Sequence, residues 1–75
     1  MAAIDIRQLI GRNVRQLRAA AGLTQDGLSE RTGLSAAYIS EIERGQANRS
    51  AVVLAELAQA LRVDIRNLLK PETES

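Results

Sequence analysis

Residues 24–45 read TQDGLSERTGLSAAYISEIERG, and the order of capping and apolar residues in this stretch decides the fold. Thr24 offers a hydroxyl to cap a helix, Asp26 suits the positive N-terminal end of that helix, and Leu28 is its main apolar residue. The spacing predicts a short helix over about Gln25 to Arg31. Gly33 follows, and glycine reaches without steric cost the left-handed conformation that a tight interhelical turn demands. Leu34 anchors the turn, Ser35 is a second N-cap, and Ile39 with Ile42 forms an i, i+3 apolar pair. Gly45 supplies a stop, so the second helix is predicted over about Ala36 to Arg44.

Upstream, apolar residues recur at Ile6, Ile10, Val14, Leu17 and Ala21, with Arg7, Arg12 and Arg15 outside the stripe. Steps of three and four trace one face of a helix that runs to about Ala21 and stops at Gly22. Downstream, Gln46 to Arg49 is a short polar link. Ser50 caps a helix whose stripe is Leu54, Leu57, Ala58 and Leu61 and which ends near Arg62. Asp64 caps a last short helix with Ile65, Leu68 and Leu69, and Pro71 marks its end. The tail from Pro71 to Ser75 is expected to be flexible. The expectation is all-α: a compact five-helix bundle, one domain over residues 1–75, without internal repeat or linker.

A chain of 75 residues buries only about 60 % of its unfolded surface, so association would help it. With no Trp or Phe and one Tyr, the core falls to Leu, Ile, Val and Ala. Cysteine and histidine are both absent, which removes disulfides, the commonest metal ligands and the usual general base. No metal, no cofactor and no enzymatic activity are expected. Asp5 and Arg7 interrupt the first ten residues, which therefore read neither as a secretory signal nor as a membrane span, and a soluble, cytoplasmic protein is expected. The net charge of +1 argues only weakly for nucleic acid, so the distribution of charge matters more than its total.

Two short helices joined by a glycine turn form a pattern whose second helix can lie in a major groove. Many small bundles share that spacing, and spacing alone leaves the role open. The residue identities narrow it. Leu17-Arg18, Gly22-Leu23-Thr24-Gln25, Leu28, Gly33-Leu34-Ser35, Tyr38-Ile39-Ser40, Ile42-Glu43-Arg44-Gly45 and Leu57-Ala58 before Leu61 stand in order along the chain. In these the chain resembles the Cro/C1-type (XRE) helix-turn-helix family of phage repressors, bacterial regulators, antitoxins and restriction-modification controller proteins. The resemblance covers nearly the whole chain and implies a fold of the lambda-repressor-like DNA-binding type.

It also implies roles. Ser35, Ala36, Ala37, Tyr38, Ser40 and Glu41 would face base edges, and Thr24, Gln25, Arg44, Gln46, Asn48 and Arg49 would face phosphates. Arg18 and Glu43 match a buried salt bridge between the first and third helices. Val52, Ile65, Leu68 and Leu69 are the candidate dimer interface, although closure of the core is an alternative use for the last three. The chain departs from the family at Ala36 and Ala37, where relatives often carry long polar side chains, and at Arg49, where they often have Pro. Alanine offers a base only contact with a thymine methyl, so direct readout would rest on Ser40, Glu41 and Tyr38 and the remainder on DNA shape. The expected function is a sequence-specific, homodimeric regulator of transcription that occupies a palindromic operator in double-stranded DNA. Nothing after the last helix reads as a sensor domain, so control would come from concentration, operator geometry or a partner protein. The competing expectation is a protein-interaction module, such as an antitoxin-like subunit.

Overall fold

Every helix starts where a capping side chain meets an unpaired backbone N–H. The structure, a computed structural model, describes residues 5–47 and 50–71. The Asp5 carboxylate accepts from the Arg7 N–H at 3.0 Å and opens α1 (Ile6–Ala20). Thr24 Oγ1 accepts from the Gly27 N–H at 3.0 Å and opens α2 (Gln25–Thr32). Ser35 Oγ accepts from the Tyr38 N–H at 3.0 Å ahead of α3 (Ala36–Glu43), and Ser50 Oγ from the Val53 N–H at 3.3 Å ahead of α4 (Ala51–Leu61). Each cap satisfies a donor that the helix itself leaves orphaned, which stabilises by about 1 kcal/mol. Gly33 ends α2 at φ +79°, the left-handed conformation the turn requires. Arg62 ends α4 in the same region at φ +59°, where the sequence offers no glycine.

The described residues hold four α-helices and no strand. This corrects the expected fifth α-helix: Ile65–Leu68 is a single 3-10 turn, capped by Asp64, with the Asn67 N–H donating to Asp64 O and the Leu69 N–H to Arg66 O. The segment lies between the left-handed Arg62 and Pro71, which has no N–H to donate back to Leu68 O, and Asn13 of α1 takes the carbonyls of Leu68 and Lys70. Arg66 hydrogen-bonds Asp64 through its side chain and its backbone, and together these pull the exposed Asp64 carboxyl down to about 2, so the cap stays ionised at neutral pH. The expected flexibility of the tail falls mostly on residues 72–75, outside the described residues.

Val14, Leu28, Ile39, Ile42, Leu57 and Leu68 are fully buried, joined by Ile10, Ala47, Ala58 and Leu61. The core lies where α1, α2, α4 and the 3-10 turn close around the inner face of α3. Two apolar expectations change. The ends of the α1 stripe, Ile6 and Ala21, are exposed, and the buried face runs through Leu9, Ile10, Asn13 and Val14. Leu68, expected at a dimer interface, is sealed in this chain's own core, because the 3-10 turn packs on both α1 and α4.

Two residues of α1 set the positions of its neighbours. At Gly11 the helix meets α3 so closely that an added Cβ would stand 2.3 Å from the Ile42 carbonyl oxygen and 2.8 Å from that of Glu43. Two positions on, the buried Asn13 side chain donates through Nδ2 to Leu68 O at 2.8 Å and to Lys70 O at 2.9 Å. One amide nitrogen thus pairs two carbonyls, one at the last residue of the turn and one just beyond it. Asn13→Ala is expected to cost about 1–3 kcal/mol in urea unfolding, since the buried Leu68 carbonyl loses its donor. Asn13→Asp should cost more, because an acceptor-only carboxylate then faces two carbonyl oxygens. Equal stability of the aspartate variant and the native chain would disprove the clamp.

Candidate nucleic-acid interface

α3 is held from behind and open in front. Ile39 and Ile42 fix its inner face in the core, while Ala37, Glu41 and Arg44, spaced by four and three residues, line an exposed face on the far side. Ser35 is also exposed, and Ala36, Tyr38 and Ser40 are half-buried, with Tyr38 packed against the core cluster. The turn before α3 is pinned by side chains. Thr32 Oγ1 donates to Leu28 O at 2.9 Å and accepts from the Leu34 N–H at 3.1 Å, and Ser29 Oγ donates to Leu34 O. Such double pinning leaves α3 little freedom to swing against α2.

The far end of α3 is tied to both preceding helices through one carboxylate. Arg18 Nε donates to Glu43 Oε2 at 2.6 Å and Arg18 Nη2 to Glu43 Oε1 at 3.1 Å, while Arg18 Nη1 donates to Leu23 O at 2.9 Å. The Arg18 side chain is 16 % exposed and that of Glu43 5 %, so the pair is largely removed from water. The hydrogen bond to Glu43 raises the Arg18 guanidinium above its ordinary value, against the opposing pull of burial. Gln25, the first residue of α2, adds a third donor: its Nε2 reaches Glu43 Oε1 at 3.1 Å.

Of the expected phosphate-facing set, Thr24, Arg44 and Gln46 are exposed and Gln25 is half-buried, whereas Asn48 and Arg49 lie outside the described residues. Thr24 and Ser35 both use their hydroxyl oxygens as helix caps. Gln46 follows the end of α3, where its backbone N–H donates to Glu41 O at 2.9 Å. Among the described residues no group of three or more Cys, His, Asp or Glu could hold a metal, and no helix is long and apolar enough to cross a membrane.

A family model described as a helix-turn-helix domain matches residues 9–69. The chain belongs to the XRE-type helix-turn-helix regulators. It is 43 % identical over 72 residues to the HTH-type transcriptional regulator y4dJ of Sinorhizobium fredii, a match spanning 96 % of this chain and 94 % of that one. It is 36 % identical over 66 residues to the control protein C.SmaI of Serratia marcescens, covering 88 % of this chain and 79 % of the relative. The crystal structure of the restriction-modification controller protein C.AhdI from Aeromonas hydrophila superposes with a TM-score of 0.80 at 40 % identity, over 83 % of this chain and 94 % of that one. Transcriptional regulators and restriction-modification controller proteins are thus the kinds of protein this chain is similar to.

Within this helix-turn-helix regulator, three features escape a reading of the sequence. Gly11 looks like a weak point inside a helix, Asn13 looks like a polar residue strayed beside the stripe, and the Gln25 amide looks free to turn. The one available signal was Asn13, a short polar side chain next to Val14 on a face otherwise apolar.

Proposed function

We propose that the chain acts as a homodimer on a palindromic operator, in the cytoplasm, with α3 of each protomer entering a major groove. The observation that carries this reading is the two-sided character of α3: Ile39, Ile42 and Glu43 anchor one side, while Ala37, Glu41 and Arg44 face outward on a helix fixed by its turn. A rigid rod with a free face suits groove entry. Ser40 and Glu41 read bases on this account, and Gln25, Arg44 and Gln46, with Asn48 and Arg49, hold phosphates. The alanines at 36 and 37 leave much of the selectivity to the shape of the duplex.

The dimer contact is assigned to Val52, Ile65 and Leu69, without Leu68. Val52 is 67 % exposed, and Ile65, at the start of the 3-10 turn, and Leu69, just after it, are 39 % and 43 % exposed. Large apolar residues so exposed on a small domain favour a second copy as the cover. Two recognition helices related by a two-fold axis then meet half-sites about 34–36 Å apart, one turn of the duplex.

The test is a titration of mixed-sequence duplex at several salt concentrations. With Arg44 and Arg49 from each of two protomers on phosphates, the logarithm of affinity should fall against the logarithm of salt with a slope of about −4. Gln25→Ala and Asn48→Ala should weaken binding to every sequence alike. Absence of binding at low salt, or affinity indifferent to salt, would leave the protein-interaction module as the better reading.

A further inference from the structure

We infer that Glu43 is a positioning residue for the phosphate contact of Gln25, so that the carboxylate joining the three helices also aims an amide at the DNA backbone. The inference rests on the phosphate role proposed for Gln25. A free glutamine amide has two faces, and a flip of the terminal torsion exchanges its donor for its acceptor. Only the nitrogen face donates to a phosphate oxygen. Glu43 removes the choice. Its oxygens accept and never donate, so with Nε2 held 3.1 Å from Glu43 Oε1 the amide has its nitrogen fixed and one N–H left to give.

The rest of the network makes this hold rigid. Glu43 Oε2 is engaged by Arg18 Nε at 2.6 Å and Oε1 is shared between Arg18 Nη2 and Gln25 Nε2, both at 3.1 Å. Arg18 is in turn anchored to Leu23 O, immediately before the capping Thr24. The backbone around the start of α2 and the amide on its first residue are therefore set from the same guanidinium and carboxylate. Ala36, the first residue of α3, has no polar side chain with which to brace Gln25. The hold comes from the tail of α3 instead.

A preset amide binds phosphate without first losing rotational freedom, and a hydrogen bond to a charged oxygen contributes enough that its loss lowers affinity about tenfold or more. The experiment is a double-mutant cycle read in affinity for a mixed-sequence duplex, at a temperature where circular dichroism shows each variant folded. Gln25→Ala and Glu43→Gln should each weaken binding about tenfold, and the double variant should be no weaker than Glu43→Gln alone. An amide in place of the carboxylate restores the shape but lets the Gln25 amide flip. Additive losses would overturn the inference while leaving the phosphate contact of Gln25 intact. An affinity unchanged by Gln25→Ala would overturn both. Should Glu43→Gln fail to fold, the native protein still decides the matter by nuclear magnetic resonance. One Gln25 side-chain N–H should be shifted downfield and protected from exchange with water before any DNA is added. Two N–H signals at solvent-like positions with unprotected exchange would refute the hold.

Discussion

Gly11→Ala is expected to lower the melting temperature by about 12–24 °C and to abolish DNA binding at temperatures where the native chain binds. In an exposed helix the same change would stabilise by up to about 1 kcal/mol. Here the added methyl would stand 2.3 Å from a backbone oxygen of Ile42 and 2.8 Å from that of Glu43, and neither can swing aside as a side chain could. Overpacking of this kind costs about 3 kcal/mol, and in a domain of this size each kcal/mol moves the midpoint by about 4–8 °C. The clash outweighs the gain in propensity. Gly27→Ala is the matched control, because its Cβ would meet side-chain atoms at ordinary distances: Leu23 Cδ2 and Thr24 Oγ1 at 3.4 Å and Leu23 Cβ at 3.9 Å. That variant should melt at or above the native temperature. A Gly11→Ala protein as stable as the native chain would mean that α1 and α3 are not in this contact.

Arg18→Met and Glu43→Met form the second pair of large effects. Each single change leaves its partner charged and largely out of water, at an expected cost of about 3–5 kcal/mol in urea unfolding. For a small domain that is much of the total stability. Arg18→Met should be the worse, since the carboxylate left behind is the less exposed of the two. The double variant should recover part of the loss, because two apolar side chains of similar length leave no charge unpaired. Losses below about 1 kcal/mol for both single variants would place the pair among exposed salt bridges and contradict the burial described.

The capping residues Thr24, Ser35, Ser50 and Asp64 and the turn were legible in the sequence because their chemistry is local. Thr24, Ser35 and Ser50 each cap a helix within three residues, and Gly33 needs nothing beyond its own backbone. The Arg18–Glu43 pair was legible only through family resemblance, since 25 residues separate its members. What stayed hidden depends on contacts far along the chain. Asn13 finds its acceptors 55 and 57 residues later, and the closeness of α1 to α3 at Gly11 has no trace in the spacing of either helix. The apolar pattern Ile65, Leu68, Leu69 fits one turn of either helix type, so it could not separate an α-helix from a 3-10 turn. Nor could it tell which of the leucines faces inward. Leu68 is covered and Leu69 is not, a division made by the packing of the turn on α1 and α4.

The most direct test of the central claim is selection of bound duplexes from a random pool by the native chain and by Glu41→Ala. If α3 reads a groove from two protomers related by a two-fold axis, the native chain should enrich a palindrome whose half-sites are about 10 base pairs apart. Glu41→Ala should change the preferred base within each half-site and leave their spacing alone. A pool without enrichment, or the same bases chosen by both proteins, would contradict the placement of the outward face of α3 against DNA.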